Sequence, residues 1–203
     1  EACVARALTF VGPTADHLEL FGNKGRAKTA AANAEVPTLQ GLEKSVSLKE
    51  AEEFLTELGP TKAMMIKAIH GGGGRGTGVV QRGDNLEAIY QRCQSEAATA
   101  FGSEEVYVEE YLSNARHIEV QIVGDKHGAI QHLGERECSV QRRYQKIVEI
   151  APAPGLADNV RQDLISAALR LAKSVKYSSL GTFEFLVNSP SENPDSSNHV
   201  NAH

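Results

Sequence analysis

The 203-residue chain is predicted to be an α+β protein, a small helix-covered unit followed by a larger, mostly antiparallel sheet with helices. Three observations carry that expectation. "SVSLKEAEEFLTELGP" places Ala51, Phe54, Leu55 and Leu58 at helical spacing behind a Ser47/Glu50 capping box. "MMIKAIHGGGGRGTGVV" sets a glycine run between two short apolar stretches, the pattern of a strand hairpin with an unusual loop. In "RHIEVQI", Ile118, Val120 and Ile122 alternate with His117, Glu119 and Gln121, the period of two that gives a strand one packed and one polar face.

In chain order, "EACVARALTFVG" reads as a helix end running into a strand at residues 9–11, and a chain that starts in mid-element is expected to be a piece of a larger protein. "GPTADHLELFGNKGRAKTAAANAEVP" reads as two helical stretches broken near Gly22, the second opening close to Lys24 and closed by Pro37. The capping-box helix follows, then strand 63–69, the glycine loop, strand 77–81, and a helix opened by Asp84 and Glu87 that ends at Gly102. "GDKHG" is a hairpin turn into a strand at 129–133, and a further strand is expected at 147–150. "ADNVRQDLISAALRLAKSVKY" is an amphipathic helix with Val160, Leu164, Ala168, Leu171 and Val175 inward. "GTFEFLV" puts Phe183 and Phe185 on one strand face and Glu184 on the other, and the polar "NSPSENPDSSNHVNAH" is expected to be disordered.

Composition excludes several classes. Acidic residues outnumber basic ones 26 to 21, for a net charge of -5, so the whole-chain field opposes nucleic acid and anionic lipid. No apolar stretch approaches the roughly 18–20 residues of a membrane-spanning helix. Cys3, Cys93 and Cys138 are odd in number and unpatterned, which suggests reduced thiols in an intracellular protein rather than a disulfide framework or structural zinc.

The glycine loop holds the most chemistry. Gly71, Gly73 and Gly76 satisfy GxGxxG, but Val79, Val80 and a turn follow where a dinucleotide fingerprint needs a helix, and Thr77 stands where a Walker loop needs lysine. A flap whose free N–H groups close on a polyphosphate, flanked by Lys67 and Arg75, fits the pattern. A mobile loop without a ligand is the alternative.

With "FGNK", "IKAIHGGGGRG", "VEEYLSNARHIEVQIVGD", "ERECSVQRRYQKIVEIAPAP" and "GTFEFLV" in this order, residues 3–187 resemble the biotin carboxylase family of ATP-grasp enzymes, as found in pyruvate, acyl-CoA or urea carboxylases. The resemblance implies an incomplete ATP-grasp fold: the end of an N-terminal subdomain at 1–38, a lid at 39–111, a partial C-terminal subdomain at 112–188 and a tail at 189–203. It implies that ATP lies between the lid and the sheet. Lys24 and Lys67 would hold its phosphates, with Gly73 and Gly74 in the flap and Glu109, Glu110, Tyr111 and Leu112 forming a hinge whose backbone meets adenine. His117 would contact phosphate or ribose, Gln141 and Tyr144 would line the nucleotide site, and Lys146 would face bicarbonate and the transferred phosphate. Glu184 would be the first of two acidic ligands for magnesium or manganese.

Two positions depart from the family pattern: Glu110 stands where relatives often carry lysine, and Tyr144 where histidine is common. His17, His70, His127 and His132 are read as structural or surface residues. The second metal carboxylate, the bicarbonate arginine and the catalytic base expected after "TFEFLV" have no match, and Glu192 and Asp195 take no role. The implied activity is ATP-dependent carboxylation of carrier-bound biotin with bicarbonate through carboxyphosphate. The implied partners are biotin carboxyl carrier and carboxyltransferase domains in a homo-oligomeric parent. A non-catalytic nucleotide-binding fragment and another ATP-grasp ligase are the alternatives.

Overall fold

The computed structural model describes residues 2–42, 44–70, 74–142, 145–188 and 200–202. They divide into two compact units, a smaller one drawn from residues 39–115 and 140–147 and a larger one from residues 1–38, 116–139 and 148–203.

The chain opens with helices α1 (Ala2–Ala5), α2 (Ala15–Gly22) and α3 (Lys24–Asn33) of the larger unit. The break between α2 and α3 falls at Asn23, whose side chain accepts from the Arg26 N–H at 3.0 Å and so restarts the helix. The strand expected at 9–11 does not form, and Val11 is 90 % exposed. A strand needs a ladder, and none of the described strands pairs with this segment. His17 is buried, its Nε2 hydrogen-bonded to Val175 O at 3.0 Å and its ring packed on Tyr177.

In the smaller unit, β1 (Gly41–Leu42), α4 (Leu48–Glu57), β2 (Ala63–Ala68), β3 (Thr77–Val80), α5 (Leu86–Phe101) and β4 (Val106–Tyr111) build a sheet in the order β1-β4-β2-β3, antiparallel at each pairing. Met64, Ile66, Val80, Val106 and Val108 line one face, where Ala51 and Phe54 of α4 and Tyr90 and Cys93 of α5 pack against them. Residues two apart on a strand share a face, so Met65, Lys67, Tyr107 and Glu109 occupy the other. The cap of α5 is Asn85 rather than Asp84; the Asp84 carboxylate instead accepts from Gln81 N–H at 2.8 Å and closes the preceding turn. Burial pushes the Cys93 thiol up to about 11.

The capping box forms as its spacing requires: Ser47 Oγ accepts from Glu50 N–H at 3.3 Å and Glu50 Oε2 accepts from Ser47 N–H at 2.8 Å. The hydrogen bond from Lys44, then those from Ser47, hold the Glu50 carboxyl down to about 2 from 4.5. A folded-state value below the unfolded one gives stability that is present above about pH 4.5 and lost as pH falls toward about 2. The melting temperature of the wild type is therefore expected to fall across that window relative to Glu50→Gln, and parallel acid profiles for the two proteins would refute it.

The chain continues with β5 (Ala115–Gly124), β6 (Ile130–Arg142), β7 (Gln145–Ile150), α6 (Asp158–Ser174), β8 (Ser179–Asn188) and β9 (Val200–Ala202), with a sheet ordered β7-β6-β5-β8-β9; of these residues, 115, 140–142 and 145–147 belong to the smaller unit and the rest to the larger. Val160, Leu164, Ala168 and Leu171 of α6 bury Ile118, Val120 and Ile122 of β5 and Phe185 and Val187 of β8. Any Cβ at Gly124 would lie 2.2 Å from Tyr177 O, so only glycine lets β5 meet the segment that follows α6.

Strand β6 runs well past the expected 129–133, and its pairing with β5 carries a bulge between Val120 and Ile122. Three residues of the stretch expected to lack order form β9, with Phe185 opposite Ala202 and Val187 opposite Val200. Residues 189–199, with Glu192 and Asp195, lie outside the described part of the structure. Among the described residues, no helix is long and apolar enough to cross a membrane.

Candidate functional site

On the larger unit, strand alternation turns His117, Glu119 and Gln121 of β5 away from α6, and Glu184 of β8 projects to the same side. One ligand atom each from His117, Glu119 and Glu184 lie within 4.8 Å of one another, and His117 Nε2 is 3.5 Å from Glu184 Oε2. The backbone holds this group from two directions. His117 N–H donates to Ser139 Oγ at 2.8 Å, and Gln121 Nε2 donates to Gly181 O at 2.8 Å, tying β5 to β6 and β8.

Glu119 is 1 % exposed, which a carboxylate tolerates only when paired. Its partner is Arg136, directly opposite on β6, whose Nε reaches Glu119 Oε1 at 2.7 Å; the same guanidinium donates to Gln121 Oε1 at 2.9 Å and lies 3.4 Å from Glu149 on β7. Burial alone would lower the Arg136 guanidinium, but the Glu119 hydrogen bond and charge, with Glu149, outweigh it and leave it raised. Glu119 and Glu149 also lie within 4.8 Å of Cys138, and Arg136 reaches both carboxylates.

Two further carboxylates lie on the opposite face. Glu137 takes Arg116 Nε at 2.8 Å, and Arg116 Nη2 also donates to Pro154 O at 2.7 Å. Glu135 takes Arg161 Nε at 2.8 Å, and Arg161 bonds Asp158 Oδ1 at 2.7 Å. These pairs tie the segment before α6 and its first turn to the sheet.

On the smaller unit, Lys67 of β2 is ion-paired to Glu109 of β4, and Glu110 pairs with Lys62 at 2.8 Å. The charge at position 110 is thus met from within the chain. Gly74 adopts φ 75°, a conformation that glycine takes without strain. Tyr111 ends β4 and Leu112 follows it, both half-buried.

Gln141 is half-buried near the end of β6, and Lys146 lies exposed on β7. Lys24 begins α3, but its side chain, together with Gly73 and Tyr144, lies outside the described part of the structure. The structure thus brings His117 and Glu184 together and adds Glu119 to them, and it joins Lys67 to Glu109. Arg136 and Tyr107 escaped sequence reading.

Residues 23–194 match the family model described as "Carbamoyl-phosphate synthase L chain, ATP binding domain". The chain belongs to this family. Within it, the chain is 46 % identical over 186 residues to pyruvate carboxylase of Staphylococcus aureus, covering 91 % of this chain and 16 % of that protein. It is 45 % identical over 188 residues to human mitochondrial pyruvate carboxylase, covering 92 % of this chain and 16 % of the relative.

Among solved structures, the Campylobacter jejuni biotin carboxylase complex with β,γ-ATP superposes with a TM-score of 0.87 at 38 % identity, over 99 % of this chain and 44 % of that one. The biotin carboxylase domain dimer of Hydrogenobacter thermophilus 2-oxoglutarate carboxylase, bound to MgADP, ADP and bicarbonate, gives 0.87 at 37 % identity, over 99 % and 43 %. This member of the carbamoyl-phosphate synthase ATP-binding family has the α+β ATP-grasp fold of biotin carboxylases and spans less than half of those domains.

Proposed function

We propose that the chain is the ATP-handling part of a biotin carboxylase, which phosphorylates bicarbonate with ATP and passes the carboxyl group from carboxyphosphate to biotin on a carrier domain. The observation that carries this is the His117, Glu119 and Glu184 group on one sheet face, in a chain 38 % identical to a biotin carboxylase named as an ATP complex. Two carboxylates and one imidazole are an oxygen-rich donor set that suits magnesium or manganese. When bound there, such an ion would neutralise phosphate charge.

The remaining roles belong to the chain's own side chains. Lys24 and Lys67 hold phosphates, Gly73 and Gly74 close over them, and the backbone of Glu109 to Leu112, with Gln141 and Tyr144, seats the nucleoside. Lys146 is placed beside bicarbonate, where a fixed cation stabilises the charge that develops as carboxyphosphate forms. The reaction needs a carrier domain that presents biotin; a carboxyltransferase domain and a second copy are the further proposed partners, the last in keeping with a relative described as a dimer.

A second reading is nucleotide binding without turnover. The test is ADP release by this chain with ATP, magnesium, bicarbonate and free biotin. Release that requires bicarbonate and rises with biotin supports the carboxylase reading. Binding of a non-hydrolysable ATP analogue without release supports the second, and neither binding nor release overturns both.

A further inference from the structure

We propose that Glu109, braced by Tyr107, is a positioning residue that holds the Lys67 ammonium in place for a nucleotide phosphate; this rests on the ATP-binding reading above. In the antiparallel β2–β4 pair, Lys67 lies opposite Tyr107 and Met65 opposite Glu109. Alternation puts all four on the face turned away from Ile66, Val108 and the helices. Glu109 and Tyr107 are each 5 % exposed, and the Lys67 side chain is 16 % exposed.

The Glu109 carboxylate pairs with the Lys67 ammonium on one side and accepts the Tyr107 hydroxyl on the other. Burial first, then the Glu109 charge and that hydrogen bond, raises the Tyr107 phenol, so its O–H remains a donor at neutral pH. A carboxylate fixed in this way removes much of the freedom of a four-carbon lysine stem before any ligand arrives. An ammonium carries three donors, so pairing with a carboxylate is compatible with a contact to phosphate. A purely structural ion pair would serve the sheet alone. Lys67, however, sits at the end of β2 from which the glycine-rich loop departs.

The test uses the 203-residue chain and its Glu109→Gln, Glu109→Asp and Tyr107→Phe variants. Calorimetry compares a non-hydrolysable ATP analogue with adenosine, and amine-reactive labelling of Lys67 is followed by mass spectrometry. Exchanging a charged for a neutral hydrogen bond should weaken the analogue about fivefold more than adenosine in Glu109→Gln. Lys67 should label faster in the same variant, Glu109→Asp should recover part of both effects, and Tyr107→Phe should fall between. Equal losses for analogue and adenosine, or unchanged labelling, would overturn the proposal. Should the wild type bind no analogue, the ATP-binding reading fails, while the labelling rate still decides whether Glu109 restrains Lys67.

Discussion

Arg136→Met is expected to destabilise the larger unit by about 3–5 kcal/mol, the cost of leaving a buried carboxylate without its partner. Glu119 is 1 % exposed, and the Arg136 fork is its partner across the hairpin, so the variant strands a charge that water does not reach. The double variant Arg136→Met, Glu119→Leu should recover most of the loss, because two apolar side chains of similar reach need no counter-charge. Urea denaturation measures both. A single variant within about 0.5 kcal/mol of wild type would show that the pair contributes no more than an exposed one.

The second large effect concerns the metal. Glu184→Gln should lower affinity for Mn2+ in the presence of an ATP analogue by at least about tenfold, read by electron paramagnetic resonance, since it removes one of the two carboxylates of the donor set. Glu104→Gln, at an exposed carboxylate of the smaller unit, is the control for charge alone. Equal Mn2+ affinity in wild type and Glu184→Gln would remove Glu184 from the site, and with it the reason for reading the His117 group as a metal centre.

Much of this arrangement was legible beforehand wherever chemistry is local. The Ser47/Glu50 box, the break between α2 and α3 and the Gly102 stop each depend on a few neighbouring residues. The same is true of site membership by strand parity: His117, Glu119 and Gln121 had to share a face, and Glu184 had to oppose Phe183 and Phe185. Where partners lie far apart in sequence, legibility failed. The strand expected at 9–11 has no partner, Val200–Ala202 found one on β8, and Asp84 yielded the cap of α5 to Asn85.

The pairing of Glu119 shows the division most clearly. Period and composition by themselves determined an α+β chain with a glycine-loop hairpin, an amphipathic helix over a sheet and a polar strand face bearing His117 and Glu119. They could not determine what stands across from that face. Carried up from the Asp125 turn without interruption, the β5–β6 register would set Glu119 against Glu135, two like charges; the bulge after Val120 shifts it by one residue and brings Arg136 opposite instead. That shift exists only once the two strands and α6 have packed, because a bulge is a property of a pair of strands and its cost is met by burial that neither strand provides alone.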